Sequence, residues 1–234
     1  MIERRTIESN STANAYFISD GRTPILIECG VRFRELQKAL NFKIASLAGC
    51  LLSHEHMDHA KEVKNLIKSG IDIYTSSGTA KALGISGHRV KVIRSMKQFN
   101  IETWAVLPFD TVHDCSEPLG FLLSSGEDKI LFATDTAYLT YRYAGLTHVM
   151  IECNYQADIL ASNVANGTVS RAQRDRLLWS HFNLNNIINM LKANDLSKLR
   201  EIYLMHLSNN NSDATYIKRT ISKITGKPVY VCGE

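Results

Sequence analysis

Apolar and polar residues follow two different periods along the first half of the chain. Short apolar runs predict strands at residues 15–18, 24–29, 50–52 and 71–74. Apolar positions three or four residues apart predict helices at residues 32–40, 60–69 and 77–83. Glycines close several of these segments, as expected where a strand or helix gives way to a turn.

The centre of the chain is rich in strand-like segments, and the last third alternates strand and helix again. The central runs are residues 90–93, 103–109, 119–124 and 129–134. The later strands are predicted at 147–153, 201–208 and 227–231, and the later helices at 183–194 and 213–224. Strands accompanied by helices occur in both halves of the chain, and this pattern predicts an α/β (α+β) fold of layered sheets covered by helices. We expect a single domain over residues 1–234, which is long enough to bury a sizeable core.

Composition and charge narrow the class of protein only modestly. The 234 residues carry 27 Lys+Arg against 23 Asp+Glu, a net charge of +4 that is compatible with a polyanionic partner without requiring one. The chain lacks a run of about eighteen apolar residues, so the sequence predicts no membrane partner. The first seventeen residues lack the apolar stretch of a secretory signal, and a cytoplasmic location is expected.

The five cysteines are an odd number, and none forms a CxxC pair. A disulfide framework or a cysteine zinc finger is therefore not expected. The sequence favours buried small apolar residues over reactive thiols.

The strongest chemical signal is HEHMDH at residues 54–59, directly after the predicted strand 50–52. His54 and His56 are two residues apart, so in an extended segment both can point toward one metal ion. Asp58 and His59 would begin a helix and could turn toward a second ion. Imidazole and carboxylate are ligands that Zn²⁺, Mn²⁺ and Fe accept.

A hexapeptide cannot complete two metal sites, so further ligands must come from other parts of the chain. Four residues at or near the ends of apolar runs are candidates: His113, Asp135, His181 and His206. Alone, each would be explained by packing or capping, but their shared position at strand exits favours a role as ligands. His88 and His148 lack this context and are expected to be ordinary surface or packing residues.

The order of these motifs resembles that of the metallo-β-lactamase fold, and more narrowly the YycJ/WalJ-type branch of small metallo-hydrolases. The matching segments are NSTANAYFI, LLSHEHMDHAKEV, FDTVHDCSEPLGFLL, ILFATDTAYLTYR, VMIECNYQADIL, SHFNLNN and IYLMHLSNNN. They span nearly the whole chain. The resemblance implies a four-layer αββα sandwich with a dinuclear metal site at one edge of its sheets.

The resemblance also implies a ligand set and a reaction. His54, His56 and His113 would hold one divalent cation, Asp58, His59 and His206 the other, and Asp135 would bridge them. The cations would be Zn or Mn, with Fe also acceptable. Two such cations suit the attack of a metal-activated hydroxide on a phosphodiester, and Asp58 is a candidate to orient that hydroxide.

Glu152 and His181 resemble a Glu–His pair of the related ribonuclease Z group, in which the pair helps to protonate the leaving oxygen. The alternative is that both only brace metal ligands. The chain departs from the family pattern at Glu28, where Asp is usual, and at Ser180, where a glycine is expected before the histidine.

The resemblance favours a DNA exonuclease, and two alternatives stay open: a phosphodiesterase for small cyclic nucleotides, and a non-catalytic binding module. Candidate substrate-binding residues are Arg171 and Arg174, with Arg176 beside them, and Ser208 and Asn210 after His206. The arginines would equally suit a solvated helix face. The partner would be a nucleic acid or nucleotide, and the resemblance allows a homodimer.

Overall fold

A computed structural model describes residues 2–233 and divides the chain into two compact units. The first unit comprises the chain up to Asp110, residues 115–128 and Gly233. The second comprises residues 111–114 and 129–232. Single-domain organisation over 1–234 stays a prediction.

The first unit contains a six-stranded sheet in the order β1-β2-β3-β4-β5-β6 and an antiparallel ladder β7-β8-β9. In the sheet, β1 to β3 pair antiparallel, and β3 to β6 pair parallel. The strands of the first unit are β1 (Glu3–Asn10), β2 (Ala13–Ser19), β3 (Pro24–Ile27), β4 (Gly49–Leu51), β5 (Ile73–Thr75), β6 (Val90–Val92), β7 (Phe99–Ile101), β8 (Trp104–Asp110) and β9 (Leu119–Ser125). Its helices are α1 (Phe33–Ala39), α2 (Met57–Ala60), α3 (Val63–Lys68) and α4 (Ser77–Ala82), with a 3₁₀ turn at Ile44–Ser46.

An apolar core joins this sheet to its helices. Leu36 of α1 and Leu66 of α3 are fully buried and belong to the same cluster as Leu26, Cys50 and Ile73 of three parallel strands. Burial of a leucine side chain contributes about 1.5–3 kcal/mol, so this cluster holds the strand ends in place. The ends of β3 and β4 are where the polar residues of the site begin.

The second unit contains four parallel strands in the order β10-β11-β12-β13. The strands are β10 (Asp128–Ala133), β11 (His148–Glu152), β12 (Glu201–Met205) and β13 (Val229–Val231), and the helices are α5 (Ala157–Ala165), α6 (Arg171–Ser180), α7 (Leu184–Ala193) and α8 (Ala214–Thr225). Because the strands are parallel, their carboxyl ends lie at one edge of the ladder. Asp135 and His206 lie just after these ends, as the sequence predicted, and Glu152 is the last residue of β11.

The predicted α/β (α+β) class is confirmed, but several predicted elements differ from the structure. The predicted strand 24–29 ends at Ile27, because Glu28 takes a left-handed backbone with φ 64°. The predicted helix 60–69 is divided into α2 and α3. Four elements were not predicted: β1, β7, α5 and α6. Strand β1 and helix α6 carry many charged residues and show no clear apolar period, so the pattern gave no signal for them.

Two further predictions can be compared with the described residues. The five cysteines, all within residues 2–233, form no disulfide; four of them are buried as predicted, and Cys115 is half-buried. Within residues 2–233 no helix has both the length and the apolar character needed to cross a bilayer.

Gly30 allows the turn after β3 to lie directly against the HEHMDH segment. A Cβ at this position would lie 1.6 Å from the carbonyl oxygen of Asp58 and 2.8 Å from the amide nitrogen of His59. We therefore expect Gly30→Ala to lower the free energy of unfolding by at least about 1–3 kcal/mol, because backbone has to move. Chemical denaturation measures this change.

Gly49→Ala is the matched control. Its added Cβ would meet the half-exposed ring of Tyr74, at 2.6 Å, rather than backbone of the site. Since a ring can move more easily than a packed loop, this variant should lose less stability. Equal losses in the two variants would contradict the close approach at Gly30.

Candidate metal centre

The HEHMDH segment of the first unit brings three imidazole rings close together. Residues 52–56 continue from β4 without regular structure, and α2 begins at Met57. The ring centroid of His54 lies 4.8 Å from that of His56 and 4.3 Å from that of His59. His54 and His59 are buried and His56 is half-buried, so the three rings form a compact cluster that is largely shielded from solvent.

Neighbouring side chains fix the orientation of two of these rings. The hydroxyl of Ser53 lies 2.8 Å from Nδ1 of His54, and Oε2 of Glu28 lies 3.7 Å from Nδ1 of His59. When Nδ1 of His54 donates its proton to the Ser53 oxygen, Nε2 keeps the lone pair that a metal ion requires. The 3.7 Å between His59 and Glu28 is an ion-pair distance, too long for a hydrogen bond. Glu28 is fully buried, and the same carboxylate oxygen accepts from the amide of Ser53 at 3.4 Å. The longer carboxylate therefore braces the loop as Asp would.

Asp58 and His59 present a pair of atoms that suits one cation. Oδ2 of Asp58 lies 3.1 Å from Nε2 of His59. Two ligands of one tetrahedral Zn²⁺, each about 2.0–2.2 Å from the ion, lie about 3.4 Å apart. The donor set and its spacing thus fit a divalent cation. The side-chain amide nitrogen of Asn14 lies 3.2 Å from Asp58 Oδ2 and 3.3 Å from His59 Nε2, and so keeps these two atoms together.

In the second unit, Asp135 directs its two carboxylate oxygens toward two different histidines. Oδ2 lies 3.4 Å from Nε2 of His113, and Oδ1 lies 3.7 Å from Nε2 of His206. Thr134 Oγ1 donates to Oδ1 at 2.9 Å. A carboxylate in this arrangement can bind one cation through each of its oxygens.

Glu152 and His181 form a buried hydrogen-bonded pair beside these ligands. Nδ1 of His181 bonds Oε1 of Glu152, while Oε2 of Glu152 accepts from the amides of Thr136 and Phe182 at 3.1 Å each. Candidate ligand atoms of Asp135, Glu152, His181 and His206 all lie within 4.8 Å of one another. The rings of His181 and His206 are stacked at 5.6 Å.

Burial and charge act in opposite directions on this pair. Burial alone would lower the pKa of His181, but the charge of Glu152 and its hydrogen bond outweigh burial and raise that pKa above its ordinary value. Burial alone would raise the pKa of Glu152, but the charge of His181 holds it below its ordinary value. Each partner thus favours the charged form of the other.

Three residues of the two clusters share a strained backbone. Glu28, Asp135 and His206 have φ angles of 64°, 34° and 53°, in the left-handed region that non-glycine residues rarely adopt. Each lies just after the end of a strand. Such strain costs about 1–3 kcal/mol per residue and is typical of functional sites.

The predicted substrate-binding residues lie in two places in the second unit. Arg171 is exposed and Arg174 is half-buried on α6, where Nε of Arg174 donates to Asp175 Oδ1 at 2.8 Å. Asn210 is exposed, and Ser208 is half-buried, with its amide donating to the carbonyl of Asn154 at 3.0 Å.

Neither of the two remaining histidines is a ligand candidate in the structure. His88 is exposed. His148 is buried, and its Nδ1 lies 2.9 Å from Thr147 Oγ1. Both placements agree with the expected surface and packing roles.

Several residues that hold the ligands were not singled out from the sequence. Asn14 and Ser53 are two of these residues. Asn154 is a third, with its side-chain amide nitrogen 3.1 Å from Nδ1 of His206, and Ser180 is a fourth, since its backbone carbonyl accepts from Nδ1 of His113 at 2.7 Å. Asn14 and Asn154 both lie inside segments that carry the family resemblance, which was the available signal. A backbone carbonyl leaves no such signal, because any residue type supplies one.

Glu55, the acidic residue inside HEHMDH, has a structural role. Its carboxylate accepts from the amide of Ser116 at 2.7 Å and from the hydroxyl of Thr79 at 3.4 Å. Although burial alone would raise its pKa, the hydrogen bonds from Ser116 lower it. Glu55 thus ties the segment to the loop before β9.

Comparison with known proteins identifies the family. The family model described as the beta-lactamase superfamily domain matches residues 23–207. Exodeoxyribonuclease WalJ of Streptococcus pneumoniae is 26% identical over 227 residues, which cover 88% of this chain and 81% of the relative. Exodeoxyribonuclease YycJ of Bacillus anthracis is 23% identical over 246 residues, which cover 97% and 90%.

Solved structures agree over the full length. The metallo-β-lactamase fold protein YhfI from Bacillus subtilis has a TM-score of 0.73 at 13% identity, covering 100% of this chain and 98% of that chain. Zn²⁺-bound PqqB from Methylobacterium extorquens has a TM-score of 0.75 at 14% identity, covering 100% and 99%. The predicted metallo-β-lactamase fold and the resemblance to the YycJ/WalJ branch are confirmed.

The coupling within the Glu152–His181 pair can be tested in the metal-free protein. Glu152→Gln removes the charge that opposes burial, so the pKa of His181 should fall. An NMR titration of the histidine ring signals measures this change. Glu201→Gln, which removes a carboxylate 3.7 Å from His148, should leave the His181 titration unchanged. An unaltered His181 pKa in Glu152→Gln would refute the coupling.

Proposed function

The chain belongs to the beta-lactamase superfamily and is a metal-dependent hydrolase, and we propose that it is a phosphodiesterase that degrades DNA as an exonuclease with two divalent cations. The two relatives named as exodeoxyribonucleases support the substrate, since they align over most of their own length. The net charge of +4 is compatible with a polyanionic substrate. The homodimer and the cytoplasmic location remain predictions from the sequence.

The observation that carries the two-cation proposal is the Asp135 carboxylate. Its two oxygens face Nε2 of His113 and Nε2 of His206, at 3.4 and 3.7 Å. A carboxylate that served only as a hydrogen-bond acceptor would need no second histidine on its other oxygen. The 3% exposure of Asp135 adds to this argument, because a buried carboxylate requires compensating positive charge.

The proposed ligand assignment follows the resemblance and the donor chemistry of each cluster. His54, His56 and His113 would hold one cation, Asp58, His59 and His206 would hold the other, and Asp135 would bridge them. Zn²⁺ and Mn²⁺ are the proposed cations, with Fe as a further option, since imidazole and carboxylate accept all three. When bound, two cations supply Lewis acidity at a phosphate and make a bound water acidic enough to ionise near neutral pH.

Around that chemistry, residues of the chain orient groups and move a proton. Asp58 is proposed to orient the attacking water by accepting one of its hydrogen bonds. His181, whose Nδ1 is engaged by Glu152, is proposed to deliver a proton from Nε2 to the leaving oxygen. Glu152 positions the ring and keeps the imidazolium favourable.

Substrate positioning is assigned to the polar residues next to these clusters. Arg171 and Arg174 are proposed to bind phosphates through charge-assisted hydrogen bonds. Ser208 and Asn210, two and four residues after His206, are proposed as uncharged donors to a phosphate oxygen.

A substrate panel tests the proposal. With Zn²⁺ or Mn²⁺ added, the protein should degrade DNA in preference to cyclic mononucleotides and a β-lactam. Asp135→Asn should bind less metal and lose about 100-fold or more in DNA hydrolysis, because the bridging charge is removed. Metal content by mass spectrometry and initial rates measure both effects.

Asp195→Asn is the control, since Asp195 lies on the surface and caps its own turn through Ser197. A preference for cyclic nucleotides would favour the small-molecule alternative. Binding of DNA without turnover in the metal-loaded protein would favour a binding module.

The proton-donor role of His181 predicts a dependence on the leaving group. His181→Ala should slow the hydrolysis of DNA, whose alkoxide leaving group needs a proton, by about 10²–10⁴-fold. Hydrolysis of bis(p-nitrophenyl) phosphate should be affected much less, because p-nitrophenolate leaves without protonation. Equal losses on both substrates, together with reduced metal content, would show that His181 only braces the ligands.

A further inference from the structure

Helix α6 of the second unit is almost entirely solvated. Among its ten residues only Ser180 is buried, and Leu177 is half-buried against the cluster of Tyr155, Leu160 and Val169. A capping box stabilises its first turn, where Ser170 Oγ accepts from the amide of Gln173 at 3.2 Å and Gln173 Oε1 accepts from the amide of Ser170 at 3.0 Å. The helix thus has only one apolar contact, and local bonds stabilise its first turn.

The end of this helix exposes a large aromatic ring. Trp179 is 78% exposed, and its neighbour Leu178 is 50% exposed. At 100° per residue, Trp179 lies about 200° around the helix from Leu177, on the side away from the apolar contact. The chain's other tryptophan, Trp104, is fully buried. An exposed tryptophan offers a large, rigid ring of the kind that is enriched at interfaces.

Contacts of α6 place Trp179 beside the metal-ligand cluster of the second unit. Arg176, one turn before Trp179, donates from Nε to Asp114 Oδ2 at 2.7 Å, and Asp114 Oδ1 lies 3.3 Å from His113 Nε2. Ser180, the next residue, accepts from His113 Nδ1 at 2.7 Å through its carbonyl. Trp179 therefore stands between two residues that contact the His113–Asp114 segment.

The charge of the helix favours one kind of occupant. Helix α6 carries three arginines and one aspartate; Arg174 pairs with Asp175 and Arg176 with Asp114, which leaves this surface with one net positive charge. Two copies of such a surface would repel each other, whereas a phosphate backbone would be attracted. An aromatic ring among cations is the combination that single-stranded nucleic acid binds, because each base offers a π-face for stacking.

We infer that Trp179 is a stacking platform for an unpaired base at or near the end of the DNA strand, with the arginines of α6 along its backbone. This inference rests on the proposed function and deepens it. Stacking on Trp179 would hold a frayed strand end beside His113 and His181. It makes Trp179 a residue that recognises single-stranded ends by their bases, without sequence preference.

The first measurement uses tryptophan fluorescence and needs no turnover. The Zn²⁺-loaded protein is titrated with a single-stranded oligonucleotide whose phosphorothioate linkages resist hydrolysis. Stacking should quench the emission of Trp179 and protect it from acrylamide. Trp179→Phe, which keeps only the buried Trp104, should show no change on titration. Absence of quenching in the unaltered protein at saturating oligonucleotide would overturn the inference.

The second measurement separates stacking from a merely structural role. Initial rates are compared for strands with ordinary ends and for strands whose terminal nucleotides lack bases, at either end in turn. Trp179→Leu should lower kcat/KM on ordinary ends by about 5- to 100-fold and abolish the preference over abasic ends, while Trp179→Phe should retain much of it. Leu178→Ala is the matched control and should keep the preference for base-bearing ends.

The outcomes distinguish the inference from the function it rests on. If the protein degrades DNA and Trp179→Leu keeps its preference for base-bearing ends, the stacking platform is wrong and the nuclease proposal stands. If the protein degrades no DNA but Trp179 is still quenched, the stacking holds and the nuclease proposal fails. If Trp179→Leu instead changes the oligomeric mass by light scattering and the unaltered protein shows no quenching with oligonucleotide, α6 is an interface between copies and the inference is refuted.

Discussion

Buried negative charge is the constraint on which the rest of this structure depends. Glu28, Asp135 and Glu152 have 0%, 3% and 0% of their surface exposed. Burying an unpaired carboxylate costs several kcal/mol, so each must be met by hydrogen bonds or positive charge. A histidine faces each of the three, backbone amides donate to Glu28 and Glu152, and the Thr134 hydroxyl donates to Asp135; the backbone is strained at Glu28 and Asp135. Cations that bind between such groups would add the remaining compensation.

Much of the site could be predicted because its chemistry is concentrated at strand exits. HEHMDH is recognisable from residue types alone, and Asp135 and His206 follow apolar runs that form β10 and β12. The parallel strand order then explains why residues far apart in sequence lie at one edge. The family resemblance supplied the division of roles, which spacing by itself could not.

Other features escaped because they depend on three-dimensional context. The left-handed backbone at Asp135 and His206 has no sequence signal, since neither residue is glycine. The roles of Asn14 and Asn154 follow from the side chains they contact in the folded protein, Asp58 and His59 for Asn14 and His206 for Asn154. Helix α6 lacks an apolar face, so no periodicity revealed it, although its capping box was present in the sequence as Ser170 and Gln173. Because its side chains are exposed, this helix also offers a surface to which another molecule can bind.

The assignment of residues 111–114 to the second unit has a consequence for how the chain can be divided. The residues on either side of this short segment, up to Asp110 and from Cys115 to Asp128, belong to the first unit. No single cut can therefore separate the two units, because a cut anywhere from Asp110 to Asp128 leaves part of one unit on the fragment that carries the other. Gene fission or exchange of one half between homologues would have to keep residues 111–114 with the second unit.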